Sequence, residues 1–132
     1  MKFELNENPI AKKRHRHGQF GTYDPQFMDK RNCKWKLAKQ ARESNFDPLE
    51  GPVFAKIEVK YPMPATWSKK RKKEMQGKYV ATKPDNDNYE KFYFDVLNGI
   101  AYKDDAQIAK NETSKVYDYE GSVKIQMEII NE

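Results

Sequence analysis

Four aspartates and one lysine that suit phosphate chemistry lie in one short stretch of this sequence, residues 83–108. Asp85 and Asp87 are two positions apart, and Lys91 follows Asp87 by one helical turn. Asp104 and Asp105 come 17 and 18 residues after Asp87. If the chain brings these carboxylates together, their oxygens suit Mg²⁺, which takes a few carboxylates plus substrate phosphate. Such an ion polarises a phosphate and activates water, and a nearby lysine stabilises the charge that develops.

The same residues also have ordinary structural roles. Asp87 and Glu90 have the spacing of a capping box, and an acid at a helix N-terminus is worth roughly 0.3–1 kcal/mol. Asp87 and Lys91 form an (i, i+4) pair worth roughly 0.2–0.5 kcal/mol. Asp104 and Asp105 suit a turn. Capping needs one acid, whereas four crowd this segment of a basic protein, so a metal site explains the set better.

Charge is distributed unevenly along the 132 residues, whose formal net charge is +5. Residues 1–84 carry 20 basic and 9 acidic side chains, whereas residues 85–132 carry 5 basic and 11 acidic ones. Basic surfaces attract phosphate backbones through counterion release. A concentrated acidic segment repels the same polyanion unless it holds divalent cations. The pattern fits a metal-dependent nuclease, and it equally fits a basic binding protein with a solvated acidic part.

Two basic clusters are the candidate DNA-binding residues. The first contains Lys12, Lys13, Arg14 and Arg16, and the second is the run Lys69, Lys70, Arg71, Lys72 and Lys73. One such cluster alone is typical of a solvated charged face. Two clusters in the same chain as the acidic segment favour contacts to phosphates, which provide affinity without sequence information. Trp67 and Tyr79 flank the second cluster and suit either stacking on unpaired bases or burial.

The composition excludes several classes of protein. Only 37% of the residues are hydrophobic, but 17 aromatic side chains supply large units for burial, so we do not expect disorder. No apolar run approaches the roughly 20 residues that a membrane span needs, and the first residues lack the core of a signal peptide. The single cysteine, Cys33, excludes an intramolecular disulfide, and no nucleotide-binding loop is present. We expect a cytoplasmic protein without a nucleotide cofactor.

Hydrophobic periodicity predicts the elements that must position these residues. We expect a short strand around Phe3 and Leu5, a loop over 18–25, and a helix over 25–43 with one broad apolar side made of Phe27, Met28, Trp35, Ala38 and Ala41. Strict alternation predicts a strand over 53–61.

The second half of the chain has equally clear patterns. A helix over 87–98 places an aromatic stripe on one face, and Asn98-Gly99 ends it. Strands follow near 100–103, 107–117 and 122–130, with a hairpin turn at 119–121. Ser68 caps a short basic helix or begins an exposed loop. The order predicts one α+β domain over 1–132, a small mixed sheet packed with two to three helices.

Fourteen positions of the acidic segment resemble the RusA family of Holliday junction resolvases. They form the strings Lys83-Pro84-Asp85-x-Asp87-Asn88-x-x-Lys91, Asp95-x-Leu97-Asn98-Gly99 and Asp104-Asp105-x-Gln107-Ile108. The resemblance covers essentially the whole domain in element order, and its specific part is about 25 residues of this sequence.

The resemblance implies a homodimeric, Mg²⁺-dependent endonuclease, with Mn²⁺ as an alternative ion, that nicks four-way DNA junctions at two symmetric points. It implies that Asp85, Asp87 and one of the Asp104–Asp105 pair bind the metal, and alignment with the family favours Asp105. Lys91 is the implied catalytic lysine. A two-fold dimer would present two equivalent sites to a junction of matching symmetry.

Two other functions remain open from the sequence. One is a metal-dependent nuclease that also cuts flaps, forks and other branched DNA. The other is a structure-selective DNA-binding dimer that does not cut. The presence of all four aspartates and Lys91 argues against the second, because a polyanion would be bound more easily without those acids. The resolvase function implies a role in DNA recombination and repair in a bacterium or phage.

Overall fold

Alternating hydrophobic residues build the central strand of the protein. The fold is taken from a computed structural model that describes residues 1–14, 16–19 and 21–131, without the side chain of Arg16. In chain order the elements are β1 (Lys2–Leu5), β2 (Arg16–Gly18), β3 (Gly21–Tyr23), α1 (Phe27–Glu43), β4 (Val53–Pro62), α2 (Lys69–Met75), α3 (Asn86–Val96), a 3₁₀ turn (Asp105–Gln107), β5 (Ile108–Asp118) and β6 (Ser122–Ile129). Val53, Ala55, Ile57 and Val59 of β4 are buried, which confirms the predicted strand.

Four strands form one mixed sheet in the order β1-β6-β4-β5. β4 pairs in parallel with β5 and antiparallel with β6, and β1 pairs antiparallel with β6. Strands β2 and β3 form a separate hairpin. The predicted α+β class and mixed sheet are confirmed. No helix in the described ranges is long and apolar enough to cross a membrane.

Helices α1 and α3 contribute to the same core as the sheet. The aromatic stripe of α3 is buried as predicted, and Tyr89, Phe92 and Tyr93 are at most 1% exposed. In α1 the predicted apolar side is confirmed only in part, because Ala41 is buried and Ala38 packs against the core, whereas Phe27, Met28 and Trp35 are exposed. The buried residues are Cys33, Leu37 and Ala41. Their spacing of four residues makes a single ridge, which packs into the core, whereas the larger side chains lie on another side of the helix.

Three other predicted segments also differ from the structure. The segment 100–103 forms turns and an isolated bridge rather than a strand, although Ile100, Ala101 and Tyr102 are buried there. The turn at 119–121 is not a hairpin, because β4 lies between β5 and β6 in the sheet. The predicted loop over 18–25 contains most of the β2–β3 hairpin.

Candidate active site

Asp85 and Asp87 lie at the beginning of α3 with their carboxylates exposed. Asp85 is the N-cap residue, with an extended backbone, and its side chain makes no capping hydrogen bond. The side chains of Asp85 and Asp87 are 56% and 57% exposed. The alternative role of Asp87 and Glu90 as a capping box does not hold, because Asp85 is the N-cap residue and Glu90 accepts a hydrogen bond from the Thr113 hydroxyl at 2.8 Å. Both aspartates therefore keep their oxygens available for a ligand.

Two lysines accompany these carboxylates. Lys83 Nζ lies 3.5 Å from Asp85 Oδ2, and Lys91 Nζ lies 3.4 Å from Asp87 Oδ2. The lysine side chains are 87% and 62% exposed, and exposed pairs of this kind contribute little to stability. Each ammonium can consequently turn from its aspartate to a bound phosphate at small cost.

Lys115 fixes the loop that leads into α3. Its ammonium donates hydrogen bonds to the backbone carbonyls of Thr82 and Pro84, at 2.5 and 2.6 Å. The Asn86 amide donates to the carbonyl of Thr113 at 3.2 Å. Asp85 thus lies between two residues whose backbone or side chain is bonded to β5. Sequence reasoning missed Lys115, because a lysine within a strand gives no signal of what its ammonium contacts.

Asp104 and Asp105 lie at the other end of α3. Asp104 caps the 3₁₀ turn by accepting from the Ala106 backbone N–H at 2.9 Å, in a capping box with Gln107. This hydrogen bond lowers the pKa of Asp104. Burial raises the pKa of Asp105, and the neighbouring carboxylates of Asp104 and Asp95 raise it further. The turn therefore favours the ionised form of Asp104. Burial and the neighbouring carboxylates disfavour the ionised form of Asp105.

The two acidic pairs are separated by the length of α3. Asp85 caps the first turn, and Asp105 interacts with Asp95 and Asn98 at the last turn and just beyond it. At about 1.5 Å per residue, ten residues of helix span about 15 Å. Strand β5 does return along α3, but Asp104 and Asp105 precede it and so stay at the far end. Within the part of the chain that the structure describes, no three acidic, histidine or cysteine side chains are grouped to hold a metal.

The first basic cluster borders Asp85 and Asp87. The Lys12 backbone N–H donates to the carbonyl of Asn88 at 2.9 Å, and that of Lys13 donates to Gln26 Oε1 at 2.8 Å. These residues border a cleft of about 490 Å³, which is lined by residues 9–13, Gln26, Asp29, Lys83, Pro84 and Asn88. Arg14 is exposed, whereas the side chain of Arg16 lies outside the described part of the structure.

Gln26 holds this cluster in place. It is 2% exposed, and its amide also donates to the Ala11 carbonyl at 2.8 Å. A glutamine at the start of a helix carries no sequence signal for this role, and sequence reasoning missed it.

The second basic cluster forms α2. Ser68 caps this helix by accepting from the Arg71 backbone N–H at 3.1 Å, as predicted. Trp67 packs between Tyr117, at 5.2 Å, and the Arg71 guanidinium, at 4.0 Å from its ring centroid. Trp67 is thus committed to packing, whereas Tyr79 is 77% exposed. The four lysines of the run remain on the helix surface, with Lys72 half-buried.

Comparison with known proteins shows the family to which the chain belongs. Residues 6–128 match the family model of the endodeoxyribonuclease RusA. The chain belongs to the RusA family. It is also 34% identical over 136 residues to the uncharacterized protein YqaN of Bacillus subtilis (strain 168), covering 96% of this chain and 94% of that protein. The resemblance noted in the sequence is confirmed, and family membership implies a nuclease that acts on DNA.

We predict that Lys115→Met lowers the free energy of unfolding by about 1–2 kcal/mol, because hydrogen bonds to a charged group are lost and two carbonyls are left unpaired. Urea denaturation measures this change. Lys110→Met is the matched control, since Lys110 lies on the same strand with its ammonium over the Phe54 ring. Equal losses for the two variants would show that Lys115 does not clamp the loop.

We predict that Asp105→Asn raises the thermal midpoint of this RusA-family protein at pH 7. The fold raises the pKa of Asp105 and so favours its protonated form. The gain from asparagine should appear as the pH rises through that pKa, and it should vanish below the ordinary value of 3.8. Asp104→Ala should have the opposite sign at pH 7, because it removes the cap of the 3₁₀ turn. Thermal melts of both variants at pH 7 and below pH 3.8 test this prediction. A lower midpoint for Asp105→Asn than for the wild type at pH 7 would contradict it.

Proposed function

We propose that this protein is a Mg²⁺-dependent homodimeric endonuclease that resolves four-way DNA junctions by paired symmetric nicks. Its setting would be DNA recombination and repair in the cytoplasm of a bacterium or a phage-infected cell. One observation carries the proposal. In a chain of the RusA family, Asp85 and Asp87 expose two carboxylates at the beginning of a rigidly packed helix, each paired with an exposed lysine, Lys83 or Lys91.

The donor chemistry of Asp85 and Asp87 fits Mg²⁺. This ion keeps several waters and is commonly held by one or two carboxylates together with substrate phosphates. Both aspartates are more than half exposed, so the ion and the phosphate can reach them without rearrangement. When bound, Mg²⁺ would polarise the scissile phosphate and lower the pKa of an attacking water.

Lys91 and Lys83 would stabilise negative charge on the phosphates beside the metal. Lys91 is placed by the helix one turn beyond Asp87, and its ammonium would bind the oxygens on which negative charge builds during cleavage. Lys83 is bonded only weakly to Asp85 and would bind a neighbouring phosphate. Both residues act as cations in this scheme, so neither needs to lose a proton near neutral pH.

The two basic clusters would hold the DNA around this centre. Lys12 and Lys13 border the cleft that also contains Lys83, so a strand lying there passes beside Asp85. The helix α2 connects to α3 through residues 77–85, which pair with β5 at Val80 and Lys78. Contacts of this kind position the backbone without reading bases.

A second copy of the chain would complete the carboxylate set. Within one chain, Asp104 and Asp105 are separated from Asp87 by about the length of α3. A two-fold axis between antiparallel α3 helices would bring the end of one helix to the beginning of the other, and so the partner's Asp105 to Asp87. This arrangement reconciles the four aspartates of the family pattern with their separation in a single chain, and it provides two equivalent sites.

We predict that Asp87→Asn and Lys91→Ala each reduce cutting of a four-way junction by at least about a hundredfold, while junction binding stays within about threefold. Asparagine weakens the metal site, and alanine removes the cation that stabilises the transition state. Cutting is measured on a synthetic junction and a linear duplex of the same sequence, with Mg²⁺ or EDTA, and binding is measured in EDTA.

Glu112→Gln and Lys110→Ala are the matched controls, because both residues are exposed and lie on β5. Paired symmetric nicks in the junction alone, only with metal, would support the resolvase. Equal cutting of the duplex would indicate a general nuclease, and cutting of flaps and forks a broader branched-DNA enzyme. Binding without any cutting would indicate a non-catalytic DNA-binding dimer.

We predict that mixing Asp87→Asn with Asp105→Asn restores cutting although each variant alone is inactive. In a mixed dimer whose sites are shared between chains, one site receives both substitutions and the other receives neither. The restored activity should reach about a quarter of the wild-type level, because about half of the dimers are mixed and each has one intact site. Absence of restoration after subunit exchange, checked by co-purification of two differently tagged chains, would show that each site is formed within one chain.

A further inference from the structure

A groove between α1 and the C-terminal end of α3 takes no part in the steps above. It has a volume of about 430 Å³ and is lined by Phe27, Lys30, Arg31, Lys34, Asp95, Val96 and Asn98. Pockets that hold small ligands have volumes of about 300–1,000 Å³. The groove is therefore large enough for one nucleotide.

The groove combines an exposed aromatic ring with an apolar floor. Phe27 is 64% exposed although it is large and hydrophobic, and Val96 is 3% exposed between the helices. Removing an aromatic ring from water is favourable, so a ligand that covers the exposed Phe27 ring would bind more tightly. The flat face of a base is a good match for such a ring.

The charge of the groove favours an anionic ligand. The Lys30 ammonium lies 2.6 Å from Asp24 and 3.6 Å from Asp95, so Lys30 compensates the acid that lines the groove. Lys34 donates a hydrogen bond at 3.2 Å to the backbone carbonyl of Asn98, which carries no formal charge. Arg31 is exposed, and it has no ion pair within the described residues. Arg31 and Lys34 thus provide positive charge beside the aromatic ring.

We infer that this groove binds one unstacked nucleotide of the DNA substrate, with its base against Phe27 and its phosphate on Arg31 and Lys34. The inference rests on the proposed function, because branched DNA supplies bases that can leave the stack at the crossover. A regular duplex hides the faces of its bases, and extruding one costs a few kcal/mol. The groove would therefore add affinity for branched DNA over linear duplex.

The position of the groove relates this nucleotide to the acidic residues. Asp95 and Asn98 line the groove, and both also interact with Asp105. A nucleotide held there would therefore lie close to Asp105. Binding an unstacked nucleotide would thereby set where along the strand the adjacent phosphate lies.

The test compares Phe27→Ala with Trp35→Ala in the full-length protein. Trp35 is 63% exposed on the same helix but lies outside the groove, near the Lys39 ammonium. In EDTA, Phe27→Ala should weaken binding of a four-way junction about tenfold, the cost of one lost base stack, and leave binding of linear duplex unchanged. Trp35→Ala should change neither, and Phe27→Tyr should bind the junction as the wild type does.

A second pair of variants tests the phosphate contact. Arg31→Ala should lower the slope of log K against log salt concentration by about 1 for the junction. Arg42→Ala removes an exposed arginine of the same helix outside the groove, and it should leave that slope unchanged. Photo-crosslinking from a halogenated pyrimidine at the crossover should map to the first turns of α1.

Several results would overturn the inference. Equal effects of Phe27→Ala and Trp35→Ala, an equal loss on linear duplex, or crosslinks only outside α1 would each do so. A dimer that dissociates on Phe27→Ala would assign the groove to the contact between subunits. Cutting by the wild type is measured in parallel. If the wild type cuts junctions and Phe27→Ala binds them normally, only the assignment of the groove to a nucleotide is overturned. If the wild type neither cuts junctions nor prefers them to linear duplex, the proposed function itself is overturned.

Discussion

The burial of one aromatic stripe determines most of the candidate site. Tyr89, Phe92 and Tyr93 fix α3 in the core, and fully buried aromatic side chains of this size leave a helix little freedom to shift. Because α3 is held along its length, the acidic residues at its two ends are also held apart. The separation of Asp87 from Asp105 is thus a property of the core, and it is the physical reason to place the complete site between two chains.

Polar contacts fix the irregular segments next to α3 that carry the charged candidate residues. Tyr93 uses its hydroxyl to accept a hydrogen bond from the Ile10 N–H at 2.9 Å, Gln26 bonds the segment that carries Lys12 and Lys13, and Lys115 bonds the loop before Asp85. Each of these groups belongs to a helix or to the sheet, and each bonds a segment without regular structure. Basic and acidic residues that lie far apart in the sequence are therefore placed side by side, while their own side chains stay free.

Periodicity predicted the fold well wherever one face of an element is buried. The strand 53–61 and the helix 87–98 have clean patterns, and both appear within about two residues of the expected ends. For α1 the prediction was right for Ala41 but wrong for the large side chains, because the helix exposes Phe27 and Trp35 and buries Cys33 and Leu37 instead. The size of apolar side chains alone does not predict which side of a helix is buried where the helix packs closely against the core. The 119–121 turn was mistaken for a hairpin because local sequence does not show that β4 enters between β5 and β6.

The candidate site was predictable in its residues but not in its geometry. Spacing and residue type were enough to single out Asp85, Asp87 and Lys91, since all three lie on two turns of one helix. The relation of this group to Asp105 depends on the path of the chain after α3, and no local pattern shows that path. The raised pKa of Asp105 has the same origin, because burial, its largest cause, and the carboxylate of Asp95 act on it only once the chain is folded. A cation near Asp105 would relieve that repulsion, so binding of metal and substrate would stabilise the end of the helix that the acidic pair destabilises.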